Sequence, residues 1–303
     1  MRTYRYLHLD VFTDRPLMGN QLAVFPHAEN LEPAMMQSIA LEMAFSETTF
    51  VLPPETSDTN ARVRIFTPRA EIPMAGHPTI GTTFALAHEG RIAAEQPSIT
   101  LGLGIGPTLV RLEWKAGRLR FAWMTQPIPE FGAIAANTGD LATALGLEDS
   151  DIRKTRLPVQ VASSGVPFLY VPISSRDAVN RAEFERGAFL RFCRAAVLNE
   201  LPVFVFSLES TGDGATAFSR MFAPGFGVPE DPATGGASGP LGAYLVHHGA
   251  VSIEQAAHMV SLQGVRMGRP SEIHISIVAH DRQITDVRVG GQAVLVAEGT
   301  LQL

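Results

Sequence analysis

A chain of 303 residues is long enough for about two domains of ordinary size, and 46% hydrophobic against 18% charged residues is a globular composition with no charge run that would make a disordered arm. The formal net charge of −6, with Lys and Arg scattered, excludes a nucleic-acid surface, which needs clustered cations. No stretch approaches the ~18–20 apolar residues of a membrane span, and "MRTYRYLHLDVF" lacks a signal-peptide core, so a soluble cytoplasmic protein without membrane contacts is expected.

In chain order, "YRYLHLDVF" reads as a strand, "GN" at 19–20 as a turn, and "QLAVFP" as a second strand. The segment "LEPAMMQSIALEMAF" is helical, with Pro33 suited to its first turn and Ile39 and Met43 on its apolar stripe. Two strands follow, "SETTFVLPP" and "ARVRIFTP". Further on, "VRLEWKAGRLRFAW" reads as a hairpin turning through Lys115, Ala116 and Gly117. Pro127, Pro129 and Gly132 break the pattern as a linker, dividing an N-terminal half at 1–128 from a C-terminal half at 129–303. The last segment, "QAVLVAEGTLQL", is a strand able to return to the first half.

The sequence repeats itself. "RIFTPRAEIPMAGHPTIG" from 64 and "RMFAPGFGVPEDPATG" from 220 share an Arg-x-Phe-x-Pro start and an x-Pro-x-x-Gly end, with a two-residue deletion between. Each runs into a small-residue helical stretch ending in His and Gly, "TTFALAHEG" and "PLGAYLVHHG", and "GNQLAVF" at 19 matches "GVPFLYV" at 165 more weakly. A duplicated half is the economical reading, and it makes His77 and Asp231 equivalents about a pseudo-twofold axis.

"HP" at 77 and "DP" at 231 read as two helix starts, since Pro favours the first helical position and Asp the cap before it. The helices behind them carry almost no charge and many small residues, which predicts burial all round, inside a curled sheet. Two such helix N-termini facing one cleft create positive potential suited to the carboxylate of a small molecule.

Other chemistries find little footing. Cys193, the lone cysteine, sits at helical spacing in "FLRFCRAAVL" and reads as a buried hydrophobe, which removes disulfides within the chain and a two-thiol racemase. "GLGIGP" at 102–107 runs into a strand where a dinucleotide site needs a helix. The nine histidines show no metal-binding spacing, and His88, His247 and His248 suit helix C-termini.

"DVFTDRPLMGNQLAVF", "SETTFVL", "RIFTPRAEIPMAGHPTIGT" and "EDPATGGASGPLGAYLVHHG", in this order and spacing, resemble the phenazine biosynthesis PhzF family over nearly the whole chain. The resemblance implies an α+β, diaminopimelate-epimerase-like fold of two pseudo-symmetric halves, each a barrel-like, mostly antiparallel sheet around a central helix. It also implies a homodimer, and catalysis with neither metal nor organic cofactor. The family glutamate that moves a proton on a dihydro-hydroxyanthranilate matches Glu47, the GHP histidine matches His77 with Gly76 before it, and the DPATG aspartate matches Asp231. Asn20, Gly235 and Gly236 match positions near the substrate. The chain departs from the family pattern at Gly236, where a serine is common, and at Gln21, where a proline is. The expected activity is isomerisation of a small unsaturated or amino-bearing carboxylic acid, Glu47 acting as general acid and base. A non-catalytic binding protein and a two-base epimerase without thiols are the alternatives.

Overall fold

The structure, a computed structural model, describes residues 2–280 and 283–303. The first half runs β1 (Thr3–Val11), β2 (Asn20–Phe25), α1 (Pro33–Met43), β3 (Glu47–Leu52), β4 (Ala61–Phe66), β5 (Glu71–Ile72), α2 (Gly76–His88), β6 (Ser98–Leu103), β7 (Gly106–Lys115), β8 (Arg118–Gln126) and β9 (Glu130–Ile134). Two short helices follow, α3 (Thr138–Ala144) and α4 (Asp149–Arg153). The second half then runs β10 (Gln160–Ser163), β11 (Pro167–Pro172), α5 (Arg176–Arg181), α6 (Arg186–Ala195), β12 (Val203–Ser207), β13 (Ala217–Ala223), β14 (Val228–Asp231), α7 (Gly235–His247), α8 (Ile253–Ala256), β15 (Met259–Gln263), β16 (Ser271–His280), β17 (Gln283–Gly291) and β18 (Ala293–Gln302).

The halves repeat one pairing scheme. In the first, β1–β2 is antiparallel, β2–β3 parallel, β3–β4 and β4–β5 antiparallel, β4–β6 parallel, and β6–β7 and β7–β8 antiparallel. In the second, β10 to β17 reproduce that sequence of orientations step for step. The last strand of each scheme is exchanged: β9 follows the first half but pairs with β10, and β18 follows the second but pairs with β1. A β8–β17 pairing completes the join, so strands from both halves form one continuous sheet. Gly132 therefore lies inside β9, and Pro127 and Pro129 alone form the break expected there.

Local chemistry repeats too. Arg64 holds Glu71 through two hydrogen bonds of 2.8 and 2.6 Å and lies over the Phe66 ring; Arg220 holds Glu230 at 2.8 and 2.9 Å and lies over Phe222. Each pair ties the strand before a central helix to the short strand leading into it. The hairpin turns through Ala116 and Gly117, both at positive φ, the conformation that matches the right-handed twist of its strands.

The two 13-residue helices α2 and α7 are buried over most of their length, as their lack of charge predicts. Helix α2 packs against β1, β2, β3 and β8, and α7 against β10, β16 and β17. Thr79 Oγ1 bonds back to Ala75 O at 2.7 Å and Ser238 Oγ to Thr234 O at 2.9 Å, which sets the helices in register with Gly76 opposite Gly235. This corrects the sequence alignment. Gly76 is the twelfth residue after Arg64 and Gly235 the fifteenth after Arg220, so the second loop is longer by three rather than shorter by two. In the strands, Ile65 opposes Ile72 where Met221 opposes Asp231. Asp231 is thus the counterpart of Ile72, and His77 that of Gly236. The two prolines are not first-position prolines either. Asp231 ends β14 and caps nothing, while α2 and α7 begin behind Ala75 and Thr234 with no side-chain cap.

Candidate active site

The first turns of α2 and α7 meet head to head. A Cβ on Gly76 would stand 2.5 Å from the Cα of Gly235, a distance that only hydrogen allows. The uncapped N–H groups of both helices therefore converge on one point, and beside it opens a cavity of about 250 Å³. Glu47, His77, Asp231, Gly76, Gly235 and Gly236 line it, with apolar walls from Ile72, Met74, Val166, Phe168, Met221 and Phe226. Among the described residues, no Lys or Arg lines it.

Glu47 starts β3, where parallel pairing with Leu22 of β2 fixes its position. Its Oε2 lies 3.3 Å from Nε2 of His77; both atoms are buried and neither has a hydrogen-bond partner among the described residues. The contact is not an ion pair. Burial, reinforced by the charge of Asp231, raises the Glu47 pKa well above its ordinary value, and burial lowers that of His77 to about 3 despite a backbone hydrogen bond at Gln21. Both groups favour their neutral forms, so the space between them is suited to one mobile proton.

Asp231 is pushed up to about 6, chiefly by burial, against hydrogen bonds that favour its charge. Thr234 Oγ1 donates to Oδ2 at 2.6 Å, while Ser46 Oγ and Asn20 Nδ2 donate to Oδ1, each at 2.8 Å. Ser46 and Asn20 belong to the first half and Asp231 to the second, so the carboxylate knits the cleft together.

Asn20 reaches the site but not the cavity wall. Its amide donates to Asp231 and to Ala233 O at 2.9 Å, lies 3.2 Å from His77 Nδ1, and is buried behind them, so its geometry is that of a support and not of a substrate contact. Ser46, Thr234 and Gln263 take part without having been singled out from sequence; the first two lie inside the quoted SET and DPATG motifs, and Gln263 carries no local signal. Cys193 is buried remote from this cluster with its thiol raised to about 11, as an inert core residue.

Residues 9–299 match the family model for phenazine biosynthesis-like proteins named PhzC-PhzF. The trans-2,3-dihydro-3-hydroxyanthranilate isomerase of Pseudomonas fluorescens is 37% identical over 99% of this chain and 100% of its own. A crystal structure of the Bacillus anthracis PhzF-family phenazine biosynthesis protein superposes with a TM-score of 0.87 at 29% identity, covering 100% of both chains. A hydroxyproline epimerase from Agrobacterium vitis shares the fold alone, at a TM-score of 0.65 and 15% identity over 99% of this chain and 92% of that one, which is the diaminopimelate-epimerase-like class. The chain belongs to the PhzC-PhzF phenazine biosynthesis-like family and is an isomerase of that family.

Proposed function

We propose that this isomerase moves a proton between two carbons of a small, cyclic, unsaturated amino carboxylic acid of the kind named for its Pseudomonas relative, trans-2,3-dihydro-3-hydroxyanthranilate, with Glu47 as the single acid–base group. The reading is carried by one observation: the buried, unbonded Oε2 of Glu47 faces the equally unbonded Nε2 of His77 on the wall of an apolar cavity where two helix N-termini converge.

The steps follow from that geometry. The substrate carboxylate sits on the uncapped N–H groups of α2 and α7, which supply partial positive charge in a cavity that no cationic side chain lines among the described residues. Its ring packs on the apolar wall. The Glu47 carboxylate removes a proton from one carbon, the freed electron pair shifts the double bond, and the resulting carboxylic acid returns the proton at the other end of the delocalised system. One C–H bond breaks and one forms, with no net redox change. His77, neutral throughout, accepts a hydrogen bond at Nε2 from the Glu47 carboxylic acid formed in the first step and so orients its proton, and Asp231 keeps Glu47 basic by its nearby charge.

The pH dependence follows in sign. A base must be ionised, and Glu47 and Asp231 both have raised pKa values, so kcat/KM is expected to rise with pH along a limb lying above the ordinary carboxylate range of about 4 to 4.5. His77, lowered to about 3, contributes no limb between about pH 5 and 8. Initial rates between about pH 4 and 9 with trans-2,3-dihydro-3-hydroxyanthranilate test both the substrate and the limb; no turnover of this compound overturns the substrate, and a midpoint near the ordinary range overturns the buried base.

Gly236 gives a second test. A Cβ there would have no neighbour nearer than the Gly76 nitrogen at 4.0 Å, and the position lines the cavity. Gly236→Ser is expected to fold normally and, by adding a donor, to lower the KM of a carboxylate substrate about 2- to 10-fold. Steady-state kinetics and a melting curve check it.

A further inference from the structure

The duplication supplies a control for every polar residue of the site, because each has a counterpart in the other half. The strand registers make Asp231 the counterpart of Ile72. In the same registers Ser261 opposes Ala217 where Leu101 opposes Ala61, so Gln263, two residues on, is the counterpart of Leu103. In the first half Ile72 packs on the cluster that contains Leu103. In the second half both positions have turned polar together.

Gln263 is wholly buried, and every polar atom of its side chain is spent on the segment that carries Asp231. Oε1 accepts from the Thr234 N–H at 3.0 Å; Nε2 donates to Asp231 O at 2.8 Å and to Thr234 Oγ1 at 3.0 Å. These partners admit only one orientation of the amide. A hydroxyl has one proton, and because Thr234 Oγ1 receives a hydrogen bond from Gln263, its own proton is left for Asp231 Oδ2, 2.6 Å away.

We propose that Gln263 is a positioning residue of this isomerase: it fixes the loop from Asp231 to Thr234 and aims the Thr234 hydroxyl proton at the Asp231 carboxylate. The consequence is electrostatic. Burial raises the Asp231 pKa to about 6, and the Thr234 hydrogen bond is the largest influence holding it down. The other groups facing this carboxylate are Ser46 and Asn20 as donors, Glu47 from β3, His77 from α2, and the neighbouring Glu230, itself held by Arg220. Without Gln263 the Thr234 hydroxyl is free to turn away, and Asp231 becomes easier to protonate.

The role rests on Asp231 belonging to the working site, so the experiment separates the two claims. The Asp231 carboxyl is followed by carbon NMR on aspartate-labelled full-length protein, assigned with Asp231→Asn, in the wild type, Gln263→Leu, Thr234→Val and the double variant. Leu is the residue at the counterpart position, and Val keeps the shape of Thr and the N–H bonded to Gln263. Each single variant is expected to raise the Asp231 midpoint by about one pH unit, and the double variant no further than either alone. An unshifted midpoint in either single variant, or shifts that add in full, overturns the proposal. Thr234→Val alone can overturn it if Gln263→Leu fails to fold. Activity of Asp231→Asn is read separately: full turnover there removes Asp231 from the catalytic reading while leaving the link from Gln263 through Thr234 standing or falling on the titration.

Discussion

Glu47→Gln is expected to lower kcat by at least about 10²- to 10⁴-fold while the protein stays folded and still binds a carboxylate ligand. The amide has the shape of the acid and can donate to His77 Nε2 across the 3.3 Å gap, but it cannot accept a proton from carbon. Stability should move the other way. The folded-state pKa of Glu47 is raised, so its contribution to stability is fully present below the unfolded value and is lost as pH rises through the folded one. Glu47→Gln removes that loss. Its melting temperature should exceed that of the wild type at pH 8 and by much less at pH 5, a difference that thermal melts at the two pH values measure. Unchanged kcat, or a variant destabilised at pH 8, would count against a buried base at this position.

Gly76→Ala should be nearly as damaging for a different reason. The added methyl would lie 2.5 Å from both the Cα and the carbonyl carbon of Gly235, backbone that cannot swing aside like the end of a side chain. The helix ends must separate, at a cost of about 3 kcal/mol. The N–H groups of the proposed carboxylate site move with them, and a displacement of about 1 Å can cost about 10²-fold in rate. Gly236→Ala, one residue on in the opposing helix and with open space at its Cβ, is the matched control and should stay close to wild type in stability. Denaturant melts and kcat/KM for the pair distinguish crowding at the helix junction from a general intolerance of glycine replacement.

The features legible in the sequence were those set by local chemistry. Alternation revealed β1 to β4, and Ala116 with Gly117 the hairpin of β7 and β8. The uncharged small-residue stretches after Gly76 and Gly235 revealed two helices buried over most of their length, because a solvated helix would carry a polar face. The motifs brought Glu47, His77 and Asp231 to one cavity. The repeat was visible too, but its register was not. Matching His-Pro to Asp-Pro paired residues by identity, whereas Thr79 and Ser238 show that the helices align by their backbone bonds and leave Asp231 opposite an apolar residue. The exchange of β9 and the roles of Asn20 and Gln263 depend on contacts between residues far apart in the chain, such as Asn20 with Asp231. A buried Gln at a strand end looks like any other until its counterpart proves to be Leu103.

The halves of this fold have therefore diverged in a defined way. One contributes the proposed proton carrier, Glu47, and the buried His77 beside it; the other contributes a carboxylate, Asp231, that accepts hydrogen bonds from donors of both. Hydrogen bonds from Ser46 and Asn20 to Asp231 tie the two halves together across the cleft.

The central claim is that a single carboxyl, Glu47, carries the proton. Turnover of trans-2,3-dihydro-3-hydroxyanthranilate in D₂O, followed by proton NMR, tests it most directly. With the wild-type protein the product should carry deuterium only at the carbon that gains the proton, and there only in the fraction of turnovers in which the Glu47 acid exchanges with solvent before returning the migrating proton; Glu47→Gln should form no product and wash no deuterium into substrate. Deuterium incorporation by Glu47→Gln at the wild-type rate would contradict the account.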